Sequence, residues 1–270
     1  MKIWESEFTL KNKLTQEQLN FFEKNGVIVF RNFIDRQTVN DYIDQIQSLE
    51  KEWLTENKQK INGIPLKFGK DENGNKTIQR FCFLNQYRDI FAKLLKDERL
   101  KALTELLYPY EGRIAENEKD GLVLNSYIKS PHSTFSQMGW HTDSPRDLFL
   151  GQKIMPMLNI GIHLDDCPVE NGGLRVIPGT QKQSFFKLLF RKKYFLDNSD
   201  DKNEVGFNMN AGDLSVHDGR LWHRAKQSSF FGEKSRRRVM YVPIITGKYM
   251  PKNEKSKTPF YHRFTNKVHS

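Results

Sequence analysis

Leu122-Val-Leu-Asn-Ser-Tyr-Ile128, Pro156-Met-Leu-Asn-Ile-Gly-Ile-His-Leu164, Gly173-Leu-Arg-Val-Ile-Pro178, Asp213-Leu-Ser-Val-His217 and Arg238-Val-Met-Tyr-Val-Pro-Ile-Ile245 decide the fold class. Each is a short β-rich run, and Gly, Pro, Asn and Asp separate them. Short strands that follow helices imply a mainly β chain with flanking helices and an antiparallel core. The closed, double-sheet form of such a core is a jelly roll, the cupin-like double-stranded β-helix.

Working outward, the first third reads as helical. Thr15 with Gln18 three residues on is a capping box, and Leu19, Phe22 and the Asn25-Gly26 stop predict a short amphipathic helix. Residues 27–30 read as a strand, and Val39, Tyr42, Ile43, Ile46, Leu49 and Trp53 recur at helical spacing. The polar stretch 58–76, with Gly63, Gly69 and Gly74, reads as loop or hairpin, and 91–108 as another helix. With no internal repeat and no low-complexity linker, one domain spanning 1–270 is expected, ending in a basic, loosely held tail over about 251–270.

Composition narrows the class of function. A chain of 270 residues, 37% hydrophobic and 12% aromatic, can bury a full core. No apolar run approaches the roughly 20 residues of a membrane span, and the N-terminus lacks the apolar segment of a signal peptide. Cys82 and Cys167 stand in unrelated contexts, which suggests neither a disulfide framework nor a thiolate zinc site and fits a reducing cytoplasm. The net charge of +10 raises the question of nucleic acid or acidic lipid. The basic residues are scattered, however, with denser groups only at 191–193, 236–238 and the tail. A small anionic molecule is therefore the expected partner, rather than nucleic acid or a membrane.

Chemistry concentrates in Gly139-Trp-His-Thr-Asp-Ser144. In an extended segment His141 and Asp143, two apart, project to one face, so an imidazole and a carboxylate reach one cation. Two histidines and one carboxylate leave open positions, the arrangement suited to iron(II) that must accept a chelating acid and O₂. The third donor lies among His132, His163, His217, His223, His262 and His269. His223 is favoured because it follows the 212–216 strand and the Asp218-Gly219 turn and has arginines close behind it. His217, at the end of that strand, is its rival.

Pro168-Val-Glu-Asn-Gly-Gly-Leu-Arg-Val-Ile-Pro-Gly-Thr-Gln-Lys182 resembles a segment of the phytanoyl-CoA dioxygenase-like enzymes, with Gln181 in place of the usual histidine. Trp140-His-Thr-Asp143, Gly212-Asp213, Leu221-Trp-His223 and the opening at 14–53 are similar to the same family, so the likeness covers roughly 14–246. It implies a double-stranded β-helix with iron(II) on His141, Asp143 and His223, and 2-oxoglutarate and O₂ as co-substrates. It also implies oxidation of a C–H bond, foremost hydroxylation, with release of succinate and CO₂.

The distal carboxylate of 2-oxoglutarate calls for a guanidinium, which binds carboxylate bidentately. Family members place it about a dozen residues after the distal histidine, where this chain has Ser235-Arg-Arg-Arg-Val-Met-Tyr241. Alternation puts Arg236 and Arg238 on one face and Arg237 on the other. The family's pattern of Arg, any residue, small residue favours Arg237. Ala225 stands where relatives often carry Ser or Thr, which removes one hydroxyl contact to the co-substrate. Asn125, on one strand face with Tyr127, and Asn159 are further candidates for co-substrate contacts.

Asp165 and Asp166 read as part of a turn. Arg146, Lys153 and Arg175 are candidate contacts for an anionic substrate. Three other functions compete. A protein without turnover on the same fold is opposed by the complete donor set. A zinc hydrolase leaves the arginine cluster without purpose. A halogenase needs a ligand position that Asp143 fills.

Overall fold

Thr15 accepts a hydrogen bond from the Gln18 amide while the Gln18 side chain accepts one from the Thr15 amide, so the first helix, α1 (Gln16–Asn25), begins with the expected reciprocal box. The computed structural model describes residues 7–133, 135–143 and 153–259. After α1 come β1 (Val27–Phe30) and α2 (Arg36–Thr55), which buries Val39, Tyr42, Ile46, Leu49 and Trp53 along one stripe.

The polar stretch that follows folds as two small ladders. β2 (Lys60–Ile61) pairs with β3 (Ile64–Pro65), and β4 (Lys67–Lys70) pairs with β5 (Lys76–Phe81). The single helix expected over 91–108 is broken into α3 (Asp89–Leu95), α4 (Glu98–Ala102) and a 3₁₀ turn at Leu103–Leu107. Asp97 causes the break: its side chain accepts from the Arg99 amide and caps α4, so α3 has to end before it.

The remaining elements are β6 (Arg113–Ile114), β7 (Val123–Lys129), β8 (Met138–His141), β9 (Met157–His163), β10 (Gly173–Val176), α5 (Phe185–Phe190), β11 (Val205–Gly206), β12 (Leu214–Asp218), β13 (His223–Lys226) and β14 (Gly232–Ile245). They form a large sheet in the order β1-β12-β9-β14-β7-β5-β4 and a small one in the order β11-β10-β13-β8, with β6 alongside β14. These pairings are antiparallel, and the two sheets make the jelly roll of a double-stranded β-helix.

Period-two alternation divides the large sheet into two faces. Leu158, Ile160, Ile162, Leu214, Val216, Met240, Val242 and Ile244 pack with Phe22 of α1 and the apolar stripe of α2 in one core. The residues between them, Asn159, His163, Ser215, His217, Arg237, Val239 and Tyr241, line a cavity on the opposite face.

Gly212 and Asp213 tie the N-terminal segment to the start of β12. Gly212 has φ +99°, and a Cβ there would stand 2.2 Å from the Ile34 carbonyl oxygen, so only glycine fits. Asp213, fully buried, accepts from Arg31 Nη1 at 2.6 Å, the Asn32 amide at 3.0 Å and the Asn210 amide at 2.9 Å. Asp213→Ala is expected to lose about 3–5 kcal/mol in urea unfolding, because Arg31 and two backbone amides lose the buried carboxylate that holds them. Arg36→Ala, which breaks an ion pair with Asp166 that is more than half exposed on both sides, is expected to stay within about 1 kcal/mol of wild type.

Asp165 and Asp166 do more than turn the chain, since Asp165 pairs with Arg238 and Asp166 with Arg36. Cys82 and Cys167 are both free and buried. No helix among the described residues is long and apolar enough to cross a membrane. Residues 251–259 carry no helix or strand. The rest of the expected basic tail, with His262 and His269, lies outside the described residues, as does Arg146.

Candidate metal centre

His141 ends β8 and His223 begins β13, and the two are direct partners in the antiparallel register. Each follows a fully buried tryptophan. Alternation sends Trp140 and Trp222 outward into a small cluster with Ile177 and Tyr194, which leaves both imidazoles on the inner face. The Pro-Gly-Thr turn fixes this entry, for Thr180 Oγ1 accepts from the Trp222 amide at 2.9 Å and donates to the Ile177 carbonyl at 2.7 Å. Asp143, one residue beyond Thr142 at the strand end, is held by its amide donating to the Gly219 carbonyl at 2.8 Å.

The donor atoms of His141, Asp143 and His223 lie within 4.8 Å of one another. Nδ1 of His141 lies 2.8 Å from the Gly139 carbonyl oxygen and Nδ1 of His223 lies 2.9 Å from that of Leu221. A carbonyl only accepts, so Nδ1 carries an N–H in each ring, which leaves Nε2 as the atom a metal would take. Two neutral imidazoles and one carboxylate on one side of a cavity fit iron(II) with further positions open.

Two more polar groups surround the triad. Asn159 Nδ2 donates to Asp143 Oδ2 at 2.6 Å. His217, the rival third donor, is brought to the same place: its Nε2 is 4.0 Å from Asp143 Oδ2, and its ring centroid is 4.3 Å from that of His223. Burial, reinforced by His223, pushes its pKa well below the ordinary histidine value, so the ring is neutral. His163, also buried and held down to about 4 chiefly by burial, is satisfied by Ser215 Oγ at 3.1 Å. His132 is exposed and is not among the residues lining the cavity.

The cavity has a volume of about 190 Å³ and reaches from the triad to Arg237. The three arginines of β14 differ sharply. Arg236 Nε donates to Glu233 at 2.6 Å, and Arg238 is paired with Asp165. Arg237, only 3% exposed, has no carboxylate partner among the described residues. Its Nη1 donates to the Lys226 carbonyl at 2.7 Å and its Nη2 to that of Ser136 at 3.1 Å, while Nε has no partner among the described residues. Burial lowers its pKa, yet a guanidinium stays charged. Gly172, at φ +79°, makes room for it: a Cβ there would be 2.8 Å from Arg237 Nη1.

Asn125 Nδ2 donates to Tyr127 Oη at 3.4 Å, and Asn125 Oδ1 is buried without a partner among the described residues. Ala225 lines the cavity. Arg175 lies apart, donating to the Gly172 and Val169 carbonyls, and Lys153 is exposed. Gln181 also lies outside, donating to the Glu23 carbonyl. Tyr241 lines the cavity and was not singled out in the sequence. Its signal is the two-residue alternation that starts at Arg237.

Comparison with known proteins agrees with this geometry. The sequence profile described as phytanoyl-CoA dioxygenase (PhyH) matches residues 22–237. No curated protein matches the sequence. Among solved structures, HygX from Streptomyces hygroscopicus, with nickel and 2-oxoglutarate bound, is 18% identical with a TM-score of 0.62, covering 88% of this chain and 89% of its own. SnoN, a non-haem α-ketoglutarate-dependent epimerase of nogalamycin biosynthesis, is 15% identical with a TM-score of 0.63, covering 91% of this chain and 92% of its own. SnoK, a carbocyclase of the same biosynthesis, is 16% identical with a TM-score of 0.62, covering 96% of this chain and 93% of its own. A profile match over most of the chain, a jelly roll and a His-Asp-His cluster suited to iron lead to one conclusion: the chain belongs to the phytanoyl-CoA dioxygenase family and is a non-haem iron, 2-oxoglutarate-dependent enzyme.

Proposed function

We propose that the enzyme is a dioxygenase that hydroxylates, or by related chemistry desaturates or cyclises, an unactivated C–H bond of a small anionic metabolite. The observation that carries this reading is Arg237, a buried guanidinium with no carboxylate partner among the described residues, in the same cavity as the His-Asp-His cluster. A dicarboxylate that chelates at the cluster and ends on Arg237 satisfies both. His141, Asp143 and His223 would hold iron(II), which would supply the coupling of O₂ reduction and oxidative decarboxylation of 2-oxoglutarate, to succinate and CO₂, with oxidation of the substrate.

The chain's own residues bind and orient. His141, Asp143 and His223 hold the metal, and Arg237 binds the distal carboxylate. Asn159 orients Asp143, and Asn125 lines the same cavity as a further co-substrate contact. Tyr127, pushed up to about 12 mainly by burial, keeps its proton and adds no charge beside Arg237. Met138, Leu174, Phe207 and Val239 exclude water from the remaining wall.

We place the whole of 1–270 in one catalytic domain acting in the cytoplasm, a setting supported by two free, buried thiols. Many basic side chains, Arg80, Arg88, Arg99 and Arg224 among them, sit in ion pairs, which argues against nucleic acid as the partner.

Succinate formation from 2-oxoglutarate, measured across a panel of anionic metabolites, tests the reading. Stimulation by one of them with a product 16 Da heavier, or 2 Da lighter, supports it. Iron-loaded protein that fails to bind 2-oxoglutarate sinks it. Asn159→Ala is expected to weaken iron(II) about 10- to 100-fold while leaving the apo fold intact, since only the partner that orients Asp143 is lost. Equilibrium dialysis against iron(II) under nitrogen checks this.

A further inference from the structure

His217 is 2% exposed, and neither of its ring nitrogens has a hydrogen-bond partner among the described residues. A neutral imidazole carries one N–H and one lone pair, and burying both without partners is costly. The neighbours that could serve are already committed. Across the ladder Asn159 donates to Asp143, and Ser215, two residues away on the same face, bonds His163. His217 therefore differs from His163, a core histidine satisfied within the fold.

It differs from the metal-binding histidines as well. His141 and His223 each have Nδ1 fixed by the carbonyl two residues earlier, and His217 has no such tether. Its Nε2 lies 4.0 Å from Asp143 Oδ2, too far for a hydrogen bond, so the carboxylate does not satisfy it. The cavity wall it occupies lies beside Asp143 and His223, where a chelating acid would enter.

We propose that His217 is a co-substrate-binding residue, whose ring N–H donates to an oxygen of the keto-acid end of 2-oxoglutarate beside Asp143 and His223. The inference rests on the function proposed above. It supplies a donor to the co-substrate's reacting end where Arg237 binds the distal end.

The test uses full-length protein loaded with iron(II) under nitrogen and titrated with 2-oxoglutarate, following the charge-transfer absorption that chelation produces. His217→Phe is expected to keep iron(II) affinity, to bind 2-oxoglutarate about 10- to 100-fold more weakly, as loss of a hydrogen bond to a charged group requires, and to shift the absorption maximum. His217→Gln, which keeps an N–H donor of similar reach, is expected to restore most of the affinity and the band position. If the phenylalanine variant does not fold, His217→Met against His217→Gln supplies the same contrast of donor present and donor absent.

Wild-type affinity and spectrum in the variants without a donor overturn the proposal. Loss of iron(II) in those variants also overturns it, by making His217 a ligand. Absence of the absorption in wild type instead removes the functional reading on which the proposal stands.

Discussion

His223→Ala and His141→Ala each lose iron(II) binding, and all 2-oxoglutarate turnover goes with it. In each case one of two neutral imidazoles is removed from a centre that has a single carboxylate besides, and the remaining pair is too weak a chelate. Losing only a partner that orients a ligand costs about 10- to 100-fold in metal affinity, so loss of a ligand itself is expected to exceed about 100-fold. Asp143→Ala is expected to behave alike, although its apo form melts close to wild type. The Asp143 side chain is 20% exposed at a strand end, and the core does not depend on it. Anaerobic calorimetry with iron(II), set beside thermal melts of the apo proteins, separates lost coordination from lost folding. Iron retained by His223→Ala and lost by His217→Ala would move the third donor from β13 to β12.

Arg237→Lys raises the apparent constant for 2-oxoglutarate by at least about thirtyfold. A guanidinium facing a carboxylate inside the barrel forms two charge-assisted hydrogen bonds, and leaving that carboxylate badly paired costs roughly 2–5 kcal/mol. At about 1.4 kcal/mol per tenfold, the lower bound sets the thirtyfold figure. An ammonium cannot reproduce the fork, and it also cannot reach the Lys226 and Ser136 carbonyls in the geometry Arg237 uses. Arg236→Lys and Arg238→Lys are expected to change co-substrate binding little, because their partners are Glu233 and Asp165. Titration of 2-oxoglutarate into the iron-loaded variants decides it. Equal binding by Arg237→Lys and wild type would take Arg237 out of the site, and a selective loss in a neighbour would shift the anchor along β14.

Much of the architecture was legible in the residues. The capping box of α1 is settled by atoms three residues apart, and the alternation of β9, β12 and β14 needs only neighbours two apart. The pairing of His141 with Asp143 on one side of a strand end follows from the same period. The long helix expected over 91–108 failed for an equally local reason, since apolar spacing continues through Asp97 while the Asp97 carboxylate caps a new helix.

Other features required the assembled sheets. Period two divides residues between faces and does not say which face meets the cavity. That depends on β12 lying between β1 and β9 and on β13 lying against β8, pairings between segments tens of residues apart. His217 and His223 are six positions apart on successive strands and both arrive beside Asp143. Only the ladder shows that one has Nδ1 tethered to the Leu221 carbonyl and that the other has two ring nitrogens without a partner among the described residues. Likewise Arg236, Arg237 and Arg238 are chemically identical in the sequence. Glu233 and Asp165 take two of them, one from the same strand and one from just past the end of neighbouring β9, and Gly172 makes room for the third. Local conformation followed from neighbouring residues, whereas the partners of each buried charge were decided by strand register, an outcome of the whole core packing at once.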